Sequence, residues 1–409
     1  MILFFAFTLS GCNSDYDITE LIHIAIIGVD KGEDGKPIIT YQIANIKSAP
    51  GIADNEENKE PKLNIITFRG NTFSDTLDAL SSILPRMPSF AHVKAIIFSK
   101  EFAEDGIYSV ISPVLRHADF RGNAYIIVVN NGTAEEFIKQ NNPTFEYLPY
   151  RYIESQATLS KYSRYYSKAT IYEFYNRLNS NSSSSYAILG GINKNHDLNN
   201  AHSLQEGDSY YAGEMPRRGD TNPVELLGTA LFYKDKYIGK LTAEDSMIVS
   251  VIKGDFRKTS VVIPDPNEPE LYVSCIVVLK RPATISVKME NDKVKINVEL
   301  LLEGEAINTP SKINYDTPEN RRQLEEAFTE HMTARLLKML KKTQEIGADP
   351  IGLGYYNRAN YKNYQEFAKS DWISLYKNAE ITGKTVLKIR SSGLSWNKTE
   401  EKNEVDKTE

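Results

Sequence analysis

The apolar run Met1-Ile2-Leu3-Phe4-Phe5-Ala6-Phe7, followed by Leu9-Ser10-Gly11-Cys12, constrains this chain more than any other feature. It reads as a lipobox: a hydrophobic residue, two small ones, then a cysteine that takes a diacylglyceryl group and becomes the new N-terminus. Small residues are needed there because the signal peptidase must fit the backbone beside the scissile bond. The run is far shorter than the roughly 20 residues of a spanning helix, so it reads as a processed signal. No Lys or Arg precedes it, so the natural start is expected upstream of Met1. The chain has 2 cysteines. With Cys12 lipidated, Cys275 has no partner and a disulfide framework is excluded. The fold must rest on hydrophobic cores.

There is ample material for them. A length of 409 residues suggests two to three domains. A hydrophobic content of 41% with 25% charged residues suits a globular chain in water. The net charge of −6 argues against nucleic acid as a partner. No second apolar segment is long enough to span a membrane, so anchoring rests on the lipid, whose two or more acyl chains suffice for stable attachment.

A polar tether over 13–20 leads to two strand-like runs, Ile22–Val29 and Ile38–Ile46, joined by hairpin-turn chemistry at 31–36. Residues 48–61 read as a solvated loop. Phe73, Leu77, Leu80 and Leu84 share a helical face that Pro85 stops. Strand Val93–Phe98, a helix or turn at Gly106–Leu115, and buried strand Ala124–Val129 follow. Thr133-Ala134-Glu135-Glu136 opens the next helix as a capping box. The stretches 179–185, 190–200 and 207–223 have linker composition. Leu226–Tyr233 and Tyr237–Leu241 form a hairpin, and a Pro-rich loop at 264–269 closes that unit. Strands Leu271–Leu279, Ala283–Met289 and Val294–Leu302 come next. Thr317 caps a long helix with Pro318 at its first position; Leu324, Phe328, Leu336 and Leu340 mark its buried face, and Gly347 and Pro350 end it. A second helix around Tyr361–Leu375 and a strand at Lys384–Arg390 finish the fold. The charged tail 397–409 has almost nothing to bury and is expected to be disordered.

Chemistry-bearing motifs are scarce. Asp30, Asp34 and Gly35 fail as a calcium loop, because Gly32 and Tyr41 stand where ligands belong. His23, His92, His117, His196, His202 and His331 lack metal spacing. Gly352-Leu353-Gly354 has no Lys-Ser/Thr after it and reads as a turn. Cys275 alternates with Val273 and Val277 onto a buried strand face. Lys338, Lys341 and Lys342 complement the C-terminal dipole of the long helix from a solvated face. The segment 145–175 interleaves eight tyrosines (Tyr147, Tyr150, Tyr152, Tyr162, Tyr165, Tyr166, Tyr172, Tyr175) with Arg151, Lys161, Arg164 and Lys168. It reads as a half-buried amphipathic helical pair or as a face toward a partner or membrane.

Taken together, these segments resemble the C-subunit lipoproteins of spore germinant receptors, the Ger(x)C or GerAC family. Glu20-Leu21 and Gly28-Val29-Asp30-Lys31-Gly32 match the stretch before the family's first hairpin. Asn13-Ser14-Asp15-Tyr16 stands where Trp-Asp is usual. Phe90–Ala103 resembles the strand–helix step, and Arg116-His117-Ala118-Asp119-Phe120-Arg121 the family's RdpelR signature. Leu227–Gly239 resembles its GtAvFkkdklvG hairpin. Lys342–Gly354 resembles its kkxqxxxxDpxGxG turn, with Trp372 and Ile389–Leu394 behind it.

The resemblance implies a non-enzymatic C subunit, lipid-anchored through Cys12 to the outer face of the spore inner membrane. It implies two polytopic membrane partners, the A and B subunits, in a complex that responds to nutrients. No cofactor, metal or catalytic residue is implied. The expected fold class is α+β, with mixed and antiparallel sheets packed by helices. The expected division is a signal peptide at 1–11, a tether at 12–20, an N-terminal α/β domain at 21–205, a small middle domain at 206–270, a C-terminal α+β domain at 271–396 and a tail at 397–409. The competing readings are a solute-binding lipoprotein serving a transporter, which would show two similar lobes, and an exported hydrolase, which would show clustered buried carboxylates.

Overall fold

The computed structural model describes residues 18–44, 64–146, 148–159, 165–194, 210–217, 219, 221–291, 293–308, 310–311 and 313–391. Cys12, the loop expected at 48–61 and the tail at 397–409 lie outside them.

The first half of the chain supplies β1 (Leu21–Lys31), β2 (Pro37–Ile43), β3 (Asn64–Arg69), α1 (Phe73–Ile83), β4 (Met87–Ser89), β5 (Ala95–Ser99), α2 (Lys100–Asp105), α3 (Tyr108–Arg116), β6 (Tyr125–Val129), α4 (Ala134–Gln140), α5 (Pro149–Thr158), α6 (Ile171–Leu178) and β7 (Tyr186–Ile192). Next come β8 (Val224–Tyr233), β9 (Lys236–Leu241) and α7 (Ala243–Lys253). The first sheet runs β3-β2-β1-β5-β6-β7-β8-β9, with β4 beside the start of β1. Its centre, β1-β5-β6-β7, is parallel and its flanks are antiparallel. β5 and β6, Ala-Ile-Ile-Phe-Ser and Tyr-Ile-Ile-Val-Val, are buried at every residue. Such unbroken apolar runs suit parallel strands covered by helices on both faces.

The second sheet comprises β10 (Thr259–Pro264), β11 (Tyr272–Leu279), β12 (Thr284–Glu290), β13 (Lys293–Asn308) and β14 (Glu380–Ser391). β11 and β12 both lie antiparallel to β13, and β14 runs parallel along its other edge. The long helix α8 (Pro318–Ile346) packs along β14, burying Leu324, Phe328, Met332, Leu336 and Leu340. Thr317 accepts the Asn320 amide at its N-cap, as the sequence implied. α9 (Gly354–Asn357), α10 (Tyr364–Lys369) and α11 (Trp372–Lys377) complete the fold. The α+β class is as expected.

Three expectations are corrected. The segment 206–270 is not a separate unit: β8 and β9 extend the first sheet, while β10 opens the second. β8 is buried on nearly its whole length, so it needs strands on both sides. Residues 190–192 are no linker but the end of β7, a fully buried strand. Its glycines are there for close packing: a Cβ on Gly191 would lie 2.3 Å from the backbone carbonyl of Ala212. The helix expected around Tyr361–Leu375 is two short helices, broken at Ser370-Asp371 where Asp371 caps α11.

Candidate functional site

Where the two sheets join, the centre is Asp349, just past the end of α8. Its carboxylate is fully buried. Oδ1 accepts the Gly352 amide at 2.8 Å, and Oδ2 accepts the Gly354 amide at 3.0 Å and Trp372 Nε1 at 2.9 Å. The main chain of Asp349 turns to the first sheet: its amide donates to Ser184 Oγ at 2.9 Å, and its carbonyl accepts the Ser184 amide at 2.8 Å. Arg177, at the end of α6, donates to the Pro350 carbonyl at 3.0 Å and the Ser184 carbonyl at 3.4 Å. Burial pushes the Asp349 carboxyl above the usual range, against the pull of its three N–H donors. Gly352 has a φ of 92°, and a Cβ on Gly354 would meet the Ser182 carbonyl oxygen at 2.6 Å and the Trp372 ring at 2.8 Å. The sequence identified this stretch as a turn after the long helix, and so it is. Its partners Ser184 and Trp372 were not legible.

A second joint lies between α7 and α8. Arg335 pairs with Glu244 at 2.7 Å and Lys342 with Asp245 at 2.5 Å, all four side chains mostly buried. Thr242 and Asp245 also form a reciprocal capping box at the start of α7. Lys342 therefore holds the joint, where the sequence reading placed it on a solvated face.

The remaining motifs resolve into structure. Asp30, of the Gly-x-Asp stretch, is buried and caps α4 from a neighbouring strand: the Ala134 amide donates to Oδ1 at 2.7 Å and the Glu135 amide to Oδ2 at 2.9 Å. Burial raises its carboxyl, opposed by those amides. Thr133 caps the same helix, but Glu136 accepts from Gln140 and Lys194 instead of closing the capping box. Asp119 accepts the Phe90 amide at 2.8 Å and His117 Nδ1 at 2.5 Å, fastening the segment after β4. His23 and His92 meet edge to face at 4.6 Å, and burial together with His92 lowers the His23 pKa. His196 and His202 lie outside the described residues. Among those residues no three His, Cys, Asp or Glu side chains are placed to hold a metal ion. Cys275 is buried in the second sheet, its thiol pushed up to about 12 by desolvation.

The other buried carboxylates also serve local contacts. Glu225 accepts from Asn193, the Gly213 amide and Arg217. Asp265 accepts Tyr315 at 2.6 Å and the Asn267 amide. With Asp30, Asp245 and Asp349 they form separate local networks, which is how backbone and helix ends are secured, and not a shared acid–base pair.

Two clefts flank the Asp349 joint. One of about 390 Å³ is lined by Arg177, Asn179, Ser183 and Asp235 together with Leu178 and Trp372. The other, about 450 Å³, contains Tyr186, whose ring is flanked by Arg177 and Lys253, each 4.8 Å from its centre. Lys253 is paired with Asp255 at 2.7 Å, and Asp235 accepts the Tyr108 amide at 3.3 Å. The Tyr-rich segment is divided between α5 and α6. Tyr166 is buried, Tyr150, Tyr152, Tyr165 and Tyr175 are half-buried, and Tyr172 is exposed. Tyr147 and Tyr162 lie outside the described residues.

Comparison with known proteins places this architecture. Residues 14–190 match the family model described as spore germination protein N-terminal domain, and residues 227–393 match the spore germination B3/GerAC-like C-terminal model. Over 96% of its length the chain is 23% identical to spore germination protein KC of Bacillus subtilis (strain 168), covering 95% of that protein. It is 19% identical to spore germination protein GerQC of Bacillus cereus, over 95% of this chain and 96% of that one. The crystal structure of the GerBC protein superposes with a TM-score of 0.50 at 15% identity, covering 89% of this chain and 96% of that chain. An α+β protein of two joined sheets, matched end to end by both domain models, is the class so defined. The chain belongs to the Ger(x)C (GerAC) family of spore germination proteins.

Proposed function

We propose that this protein is the non-enzymatic, lipid-anchored C subunit of a nutrient germinant receptor, held through Cys12 at the outer face of the spore inner membrane beside the polytopic A and B subunits. The observation that carries the reading is the ordered match of both family domains, which accounts for nearly the whole folded body. The chemistry agrees. The buried ionisable groups secure helix ends and sheet joints, and contact is the work left to such a body. Among the described residues no helix is long and apolar enough to cross a membrane, so the lipid supplies the attachment. Tethering confines the body to a thin layer beside its partners, which raises its effective concentration and lets a weak interface suffice. Solute capture for a transporter is less well supported, because the largely antiparallel second sheet is unlike the parallel-centred first, whereas that reading needs two similar lobes.

The test is Cys12→Ala in sporulating cells, followed by membrane fractionation and nutrient-triggered germination. The variant should fold, leave the membrane fraction and abolish the response that depends on this receptor. A normal response from a fully soluble variant would refute the proposal.

A further inference from the structure

Strand β1 begins at Leu21, nine residues after Cys12. Fully extended, such a stretch reaches at most about 32 Å, and the 3₁₀ turn at Ile18–Glu20 shortens it. The start of β1 therefore stays within that distance of whatever holds Cys12.

What stands at that strand end is an exposed apolar pair with one arginine between them. β4 pairs in parallel with the start of β1, Leu21 opposite Met87 and Ile22 opposite Pro88. α1 packs on β4 and ends at Ile83. Ile83 is 56% exposed and Met87 47%. Pro85 and Arg86 between them are also exposed, and Arg86 has no ion-pair partner among the described residues. Glu20 and Asp78 are the acidic neighbours on the adjoining elements. The opposite end of β1 lies about 36 Å away at strand rise, and its turn exposes no large apolar side chain: Lys31, Glu33, Asp34 and Lys36 face water there, Lys31 paired with Asp105 at 2.5 Å and Asp34 with Arg69 at 2.8 Å.

We infer that the Ile83–Met87 corner is a bilayer contact: Ile83 and Met87 enter the interfacial layer, Arg86 meets anionic headgroups, and β1 stands up from the surface. The inference rests on the lipid anchor at Cys12. Two apolar side chains bind a membrane weakly on their own, but a tether this short removes most of the cost of encounter. The anchor and the corner together fix which end of the first sheet faces the partners' membrane domains.

The test uses the full lipidated chain in vesicles of phosphatidylcholine and phosphatidylglycerol, with bromine on the acyl chains as quencher. A fluorophore is placed at Met87→Cys, or at Glu33→Cys as the distal control. Labelling is selective, because an acylated Cys12 is blocked and Cys275 is buried. The chain should float with the vesicles and take one label. The probe at 87 should lose emission to brominated lipid, and the probe at 33 should not. A floating, singly labelled chain whose residue-87 probe stays unquenched overturns the corner and leaves the anchor standing. Equal quenching at 33 overturns the orientation, and quenching at 87 that disappears when the membrane subunits are added assigns the corner to protein. A chain that takes a second label at Cys12 and fails to float removes the anchor, and the inference with it.

Discussion

Replacing Asp349 by Ala should loosen the junction of the two sheets. The carboxylate serves three donors, of which the Gly354 amide and Trp372 Nε1 are buried and the Gly352 amide partly so. A buried donor left without an acceptor costs about 1–3 kcal/mol, so the two buried ones cost roughly 2–6 kcal/mol, while Gly352 can turn to water. Relief of carboxylate burial offsets part of this, which puts the expected loss toward the lower half of that range. Trp372→Phe removes one of the donors and leaves the rest of the cradle. The pair should therefore be coupled by about 1 kcal/mol or more in a double-mutant cycle. Urea unfolding of wild type, both single variants and the double variant measures this. Hydrogen exchange at the Ser184 and Gly354 amides should accelerate before the strand amides do. The sign of the pH dependence is also set. Burial holds the folded carboxyl above its unfolded value, so its contribution is full below the unfolded pKa and is lost as pH rises through the folded one. The gap between wild type and Asp349→Ala should narrow across that window. A loss under about 0.5 kcal/mol, the size of an ordinary surface change, additive single variants, or a gap that widens with pH would refute the reasoning.

Gly191→Ala should cost about 3 kcal/mol or more, since overpacking costs 1–3 kcal/mol when side chains can yield and here the clash is with the Ala212 backbone; thermal unfolding would show it. Asp30→Ala should destabilise by about 1–2 kcal/mol through lost capping of α4, read as faster exchange at the Ala134 and Glu135 amides with β1 intact. The Cys275 thiol, pushed up to about 12, should resist thiol reagents at pH 8 in the native chain and react fully in urea. Rapid native labelling there would contradict its place in the second core.

What the sequence disclosed and what it hid divide along the range of the interaction. The β1–β2 hairpin, the α1 face and the Thr317-Pro318 start of α8 were legible because turn chemistry, periodicity and capping act within a few residues. β7 was hidden because its glycines copy the composition of a loop while answering to Ala212, twenty-one positions on. α7 was missed for the opposite reason: buried from Ala243 through Ile252 at every residue but Glu244, it has no exposed polar stripe for a helical period to reveal. Asp30 and Asp349 showed as motif residues, but their partners lie 104 and 165 positions away. No local signal carries that information.

The joints themselves bear on how such a subunit can act. Arg335–Glu244, Lys342–Asp245 and the bonds between the Asp349 main chain and Ser184 tie α8 and the turn after it to the first sheet and its helix α7, and are mostly removed from water. Buried pairs of this kind add little net stability, but every arrangement that separates them leaves a charge or donor stranded. The two sheets are thereby held in one relative position, and a hinge at this seam would have to strand all three sets at once. On the proposed lipid-anchored arrangement, a signal passing through the body would then move it as a unit, pivoting where the tether meets β1. Cross-linking the seam, for example by a disulfide between cysteines introduced at Ser183 and Gly352, where a Cβ on Gly352 would lie 3.7 Å from the Ser183 Cβ, should therefore leave the germination response intact. Loss of response in the cross-linked but not the reduced form would show that the sheets must part, and would overturn the rigid-body account.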